Sequence, residues 1–365
     1  MKPIVDSLSS SWSSRPPNNP PPKTSCRKLS EPVVTVCLPV YNMAGFVRQA
    51  VESVFAQDFK EWHLVVVDNC STDGTWEVLN TLHHPQLEIL RQPRNLGAVA
   101  NWNFLLERAT TEFICFLGGD DWFYPNHLAR KVSLLRAFPE VPLVHGPADR
   151  VDAQGSAITV PQISHWRRAR RRFTHALPGR AVKQQAPDPR LQSRWTVLRR
   201  LLSYNCINVT SVVFRRATLA AHAVKFDTRL RFFIDWHLYL DLLPYYPWLA
   251  WDDQVTLAYR VHPQSDTQKN RAGFQWALEA YEHILYSLEE HPQAWMEAGF
   301  ILRVERAHLA AHLLGLALRQ WRAGDRKVAL TVWRAFQQHQ GLSSVAGLGD
   351  PRLWPGFARK RWLLT

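Results

Sequence analysis

Two adjacent carboxylates, Asp120 and Asp121, close the apolar run Phe113-Ile114-Cys115-Phe116-Leu117 after the turn Gly118-Gly119. A short apolar run that breaks at turn residues reads as a buried strand. The pair therefore stands at a strand's carboxyl end, with Trp122 beside it. In an open α/β sheet that end is where ligands bind. Paired carboxylate oxygens beside a glycine turn suit a hard divalent cation, Mg2+ or Mn2+, shared with substrate phosphates. The plainer alternative is that Asp121 caps the helix expected from about Pro125.

The elements that must position these carboxylates repeat one unit. Val33 to Val40 is a β-branched run ending in Pro39-Val40-Tyr41-Asn42, and Phe46, Val47, Ala50, Val51, Val54 and Phe55 follow at helical spacing. Leu64 to Val67 ends in Asp68-Asn69-Cys70-Ser71-Thr72-Asp73-Gly74-Thr75, before a helix from Trp76. Leu87 to Leu90 leads to Pro93-Arg94-Asn95-Leu96-Gly97, and a helix from Ala98 to about Ala109 leads into the Asp120 strand. Such alternation predicts an α/β fold, a doubly wound, mostly parallel sheet with helices on both faces and polar strand ends on one rim. Later strands are expected at Leu143 to His145, at Val209 to Phe214 and from Val255 to Val261. A helix carrying Asp235 in its first turn opens in the run Phe232 to Leu240.

The chain's 365 residues, 46% hydrophobic and 21% charged, allow a sizeable core. Residues 1–31 are rich in Ser, Pro and Asn and read as a disordered leader. A main domain spans 32–268, and 269–365 is patterned as helices, with a hairpin closing at Ala323-Gly324-Asp325. Five cysteines with no C-x-x-C pair argue for reduced core filler and a cytoplasmic chain. No stretch reaches the about 18 to 20 apolar residues of a spanning helix. Of the net charge of +13, +10 lies between His165 and Arg200, within a Pro- and Gly-containing, loop-like insertion at about 160–200. Charge this local suits one anionic surface, such as the inner face of a membrane touched peripherally through Arg167 to Arg172, rather than nucleic acid.

Together these motifs resemble the family 2 glycosyltransferases with their GT-A fold. The matching pieces are Pro39 to Asn42, Val67 to Thr75, Asn95-Leu96-Gly97, Gly118 to Trp122, Asp235-Trp236 and Tyr259-Arg260-Val261-His262, in the family's order over about residues 33 to 265. The resemblance implies a nucleoside-diphosphate sugar as donor, a divalent cation, and a glycan, lipid-linked or small-molecule acceptor. Pro39, Tyr41, Asn42, Asp68, Asn95 and Asp120 are then the donor-binding residues. Asp120, Asp121 and His262 are the residues for metal, and Asp235 is the base of an inverting transfer. Gly118 and Ile234 stand where the family commonly has acids, so a non-catalytic nucleotide-sugar or glycan-binding module is the alternative. A dehydrogenase is disfavoured, because no G-x-G-x-x-G follows the first strand.

Overall fold

The computed structural model describes residues 31–158, 186–201 and 205–265, with isolated positions at Glu279, His283, Tyr286, Ser287, Glu290, His291 and Arg326. The leader up to residue 30, the run Arg167 to Arg172 and the expected C-terminal hairpin lie outside the described residues.

Strands β1 (Val34–Val40), β2 (Trp62–Asp68), β3 (Leu87–Arg91) and β4 (Phe113–Phe116) pair in parallel in the order β3-β2-β1-β4. The inner runs of β1, β2 and β4 are apolar because both sheet faces are covered there, whereas the edge strand β3 is half-buried and carries Glu88 and Arg91. Side chains alternate across the sheet. Val34, Val36, Leu38, Leu64, Val66, Phe113 and Cys115 therefore enter one core, with helices α1 (Val47–Phe55) and α4 (His127–Ala137). Cys37, Val65, Val67, Ile114 and Phe116 enter the other. That second core takes Leu105 of α3 (Ala98–Arg108) and the apolar side chains of α7 (Ile234–Leu242). Short α2 (Thr75–Leu79) links β2 to β3.

Beyond β4 the order is no longer sequential. The eight-stranded sheet continues through β9 (Val213–Arg215), β6 (Leu143–His145), β10 (Trp248–Trp251) and β8 (Leu191–Ser193), with β9 antiparallel to both β4 and β6. A second sheet, β5 (Trp122–Phe123), β11 (Leu257–Arg260) and β7 (Asp149–Val151), pairs Ala258 with Trp122. It therefore joins the residue after Asp121 to the strand that leads to His262. On α4, Arg130 chelates Asp252 and the fully buried Lys131 lies 3.4 Å from the same carboxylate, which ties that helix to the link between β10 and β11.

Two expectations are corrected. Val209 to Phe214 is not one strand: Asn208 accepts from Thr210 N at 2.9 Å and winds Val209–Ser211 into a 3-10 turn before β9. The basic insertion is not loop-like to its end, since Leu191–Ser193 pairs with β10 and Arg194–Leu201 forms α5, burying Val197, Leu198 and Leu201. Helix α6 (Arg216–Ala221) follows β9. Among the described residues Cys37, Cys70, Cys115 and Cys206 are free thiols, and no helix is long and apolar enough to cross a membrane.

Candidate functional site

The strand order reverses at β1, whose neighbours are β2 and β4, and a crevice opens outside such a reversal. Pro39 helps to open it. Val33 and Cys37 turn their carbonyls toward β4, accepting from Phe113 N and Leu117 N, so Pro39 faces the same way but has no N–H to continue the ladder.

The turn after β1 is fastened to the loop after β2. Asn42, in the left-handed region at φ 54°, donates its N–H to Ser71 Oγ at 2.9 Å and accepts from Thr72 N at 2.8 Å. Met43 N donates to Thr75 Oγ1 and Ala44 N to Asp73 Oδ2. Tyr41 is left exposed at the rim. Asp68 is fully buried, accepting from Ser71 N at 3.1 Å and paired with Arg91 Nε at 3.1 Å. Asn95 accepts from Asn69 Nδ2 at 3.1 Å and Gly97 N at 2.8 Å, which sets the start of α3.

At the end of β4 the adjacent carboxylates separate. Asp120 keeps a side chain 17% exposed, and its Oδ2 lies 3.0 Å from Nε2 of the buried His262, whose ring packs on Phe46. Asp121 turns inward, accepting from Arg260 N at 2.9 Å and from Thr210 Oγ1 at 2.8 Å. Burial, with the Asp120 charge beside it, pushes the Asp121 carboxyl up to about 8. Arg260 fastens the arrangement from behind. Its guanidinium lies over Phe46 and Trp122, and it donates to Asp120 O at 2.8 Å, Ala153 O at 2.6 Å and Gln49 Oε1 at 2.6 Å. A β-carbon at Gly119 would meet Val40 and Met43 side-chain carbons at 3.1 Å. One at Gly118 would meet Asp121 Oδ2 at 3.0 Å and Asp120 Oδ1 at 3.1 Å. The glycines let the turn fold back on its own carboxylates.

Asp235 is partly exposed in the first turn of α7 and accepts from Asn205 Nδ2 at 2.9 Å. Burial pushes its carboxyl up to about 6 against the opposing effect of that hydrogen bond. Ile234, where the resemblance has an acid, is buried in the core. Among the described residues no hydrogen bond or ion pair joins Asp235 to Asp120 or His262.

Residues 35–178 match the family model for glycosyl transferase family 2. Over those residues the chain is similar to the family 2 glycosyltransferases. TuaG of Bacillus subtilis (strain 168), a glycosyltransferase named for teichuronic acid biosynthesis, is 31% identical over 107 residues, 29% of this chain and 42% of that protein. RT0329 of Rickettsia typhi, an uncharacterized glycosyltransferase, is 22% identical over 280 residues, 76% of this chain and 74% of its own length. S. aureus TarS residues 1–349, solved with UDP-GlcNAc, superposes with a TM-score of 0.52 at 17% identity, covering 84% of this chain and 91% of that one. That likeness shows the fold, GT-A. The chain spans only 42% and 39% of the first two curated relatives it matches.

Four residues of the site escaped sequence reasoning. Arg260 and Thr210 hold Asp121, Arg91 holds Asp68, and Asn205 holds Asp235. The Arg91 pairing had a local signal, since β3 follows β2 in register and Asp68 stands opposite Arg91. Thr210 lies 89 positions from Asp121 and had none.

Proposed function

We propose that this chain is an inverting, metal-assisted glycosyltransferase that moves a sugar from a nucleoside-diphosphate sugar to an acceptor hydroxyl in building a polysaccharide or glycoconjugate. The reading rests on Asp120 and His262, a partly open carboxylate and an imidazole 3.0 Å apart beyond the end of β4, where the strand order reverses. An oxygen and a nitrogen donor so placed fit a divalent cation. Such a cation would neutralise the charge gained by the departing diphosphate. Asp121, its oxygens committed to Thr210 and Arg260, positions the turn rather than binding metal. Tyr41, Asn42 and the Asp68–Arg91 pair line the side of the crevice assigned to the nucleotide, and Asn95 shapes its edge.

Asp235 is the proposed base. Its carboxyl, raised to about 6, is still deprotonated at neutral pH yet basic enough to take a hydroxyl proton as the acceptor oxygen attacks the anomeric carbon. Attack from the face opposite the diphosphate inverts that carbon and needs no covalent intermediate. The local +10 charge supports an anionic acceptor or membrane face. Unchanged binding to anionic vesicles after neutralising Arg167 to Arg172 would exclude this basic run as the membrane contact.

The test is a panel of nucleotide sugars with Mn2+ and candidate acceptors, starting with UDP-GlcNAc because TarS binds it. The expected result is diphosphate release that depends on both metal and acceptor, with an inverted product by NMR. Full turnover in excess chelator would overturn the metal assignment, and a retained anomeric configuration would overturn the mechanism.

A further inference from the structure

A second group of metal-binding residue types lies away from the donor rim. His237 and Asp241 stand one turn apart on α7, Asp227 and Arg229 precede that helix, and Glu290 and His291 approach it from later in the chain. His237 is fully buried. Its Nδ1 lies 2.9 Å from the carbonyl oxygen of His283, which can only accept, so Nδ1 carries a proton and Nε2 points the other way. A carbonyl on one ring nitrogen is the usual orienting contact of a metal-bound histidine.

Nε2 faces carboxylates at distances a cation would bridge. Asp227 Oδ2 lies 3.2 Å from it, Asp241 Oδ2 3.3 Å and Glu290 Oε2 3.9 Å. Despite this closeness, among the described residues Nε2 is buried with no hydrogen bond of acceptable geometry, and Asp241 Oδ1 is buried without one too. A lone pair packed against anionic oxygens is repulsive unless something positive lies between them. Ligand atoms held about 2.0 to 2.1 Å from one tetrahedral zinc sit about 3.3 Å from each other, close to the two shorter separations. The ligand atoms of His237, Asp241 and Glu290 all fall within 4.8 Å of one another. The charge count agrees: three carboxylates against the guanidinium of Arg229, which pairs with both Asp227 and Glu290, leave two negative charges. His291 Nε2 lies 3.4 Å from Asp241 Oδ1, and its Nδ1 3.4 Å from Tyr245 hydroxyl, placing a second imidazole at the edge.

We infer that His237, Asp241 and Glu290, with Asp227 as fourth partner, form a site for a divalent first-row cation of the zinc type, separate from the donor site. Its work is to clamp the segment bearing Glu290 onto α7, the helix that carries Asp235. Glu279 grips the same place by accepting from Arg231 N and Phe233 N at 2.9 Å.

The full-length Asp120→Ala variant, which lacks the donor-site carboxylate, is stripped of metal and titrated with Co2+. One equivalent is expected to bind with visible d–d absorption, and Zn2+ should displace it and raise Tm, because a ligand that binds only the folded state stabilises it. Adding Asp241→Asn, or Glu290→Gln at the most exposed of these carboxylates, should weaken Co2+ binding at least about tenfold with the circular dichroism unchanged. Absence of Co2+ binding, or binding unaltered in both double variants, would overturn the site. So would a Tm indifferent to Zn2+ that falls as pH rises through the histidine range, which would make His237 an ion-paired imidazolium.

Discussion

At the rim made by β1, β2 and β4, Asp68, Asn69, Asp73 and Asp121 spend their oxygens on backbone N–H groups and hydroxyls close by. Around α7, by contrast, His237 Nε2, Asp241 Oδ1 and the Tyr239 hydroxyl are buried without hydrogen bonds among the described residues. The rim is thus self-sufficient, built to keep one carboxylate, Asp120, partly open for a ligand. The wall along α7 leaves these groups without hydrogen bonds among the described residues, and the inferred cation would satisfy His237 and Asp241. In that contrast the proposed donor crevice is held by its own hydrogen bonds, whereas the proposed acceptor side depends on segments far along the chain.

The comparison breaks most sharply at Asp120. Asp120→Ala should lower transfer by about 10³-fold, the scale for losing one preorganised electrostatic partner in a closed site, with Mn2+-dependent donor binding lost as well. A variant that keeps metal-dependent binding would move the cation elsewhere on the rim. Asp235→Asn should lower turnover about 10²-fold or more while nucleotide binding persists, because the base acts on the acceptor. Equal loss of donor binding would make Asp235 part of the rim and erase the contrast.

A gentler probe is pH. If Asp235 must be deprotonated, kcat should fall about tenfold per pH unit below about 6 and level off above it, and the Asp235→Asn variant should lose that limb. A profile identical in the variant would assign the limb to another group.

Restoring a side chain at the turn tests the packing. Gly118→Ala places a β-carbon 3.0 Å from Asp121 Oδ2, so the carboxylates must shift, and we expect a cost of about 1 to 3 kcal/mol in denaturant unfolding. An unchanged midpoint would show that the turn has slack. The same crowding bears on the glycine that stands where the family commonly has an acid: with Asp120 and Asp121 folded back over Gly118, a side chain there would press on both carboxylates.

What the sequence made legible follows the same divide. The parallel units through β4 announce themselves because each strand, turn and helix is contiguous, and Asn42, Asp68, Asn95 and Asp120 fall at strand ends where the pattern puts them. The antiparallel insertion of β9 between β4 and β6, the three-stranded sheet and the Arg260 anchor were not legible. Their pairings span from about 70 residues, between β6 and β9, to 139, between Asp121 and Arg260, and two-residue β5 is too short for any periodicity. The His237 cluster is legible only as an i, i+4 pair, since Asp227 and Glu290 join it through the fold.

The smallest expected effect decides which of the neighbouring carboxylates belongs to the ligand. Asp121→Asn keeps the shape, leaves an oxygen for Arg260 N and turns an amide toward Thr210, whose hydroxyl can accept. With the wild-type carboxyl raised to about 8, the folded state holds it largely neutral at pH 7 while the unfolded chain ionises it, a cost the amide does not carry, so Asp121→Asn should match the wild type below the unfolded pKa and be the more stable of the two at pH 7. Donor binding should change little. The sign of the pH effect follows from the raised value: the carboxyl's contribution is fully present below its unfolded pKa and is lost as pH rises through about 8. Wild-type stability should therefore decline across that window, and the variant should decline less. Loss of Mn2+-dependent donor binding in Asp121→Asn, to the degree seen in Asp120→Ala, would make Asp121 a ligand and reassign its contacts with Thr210 and Arg260 to a state without metal.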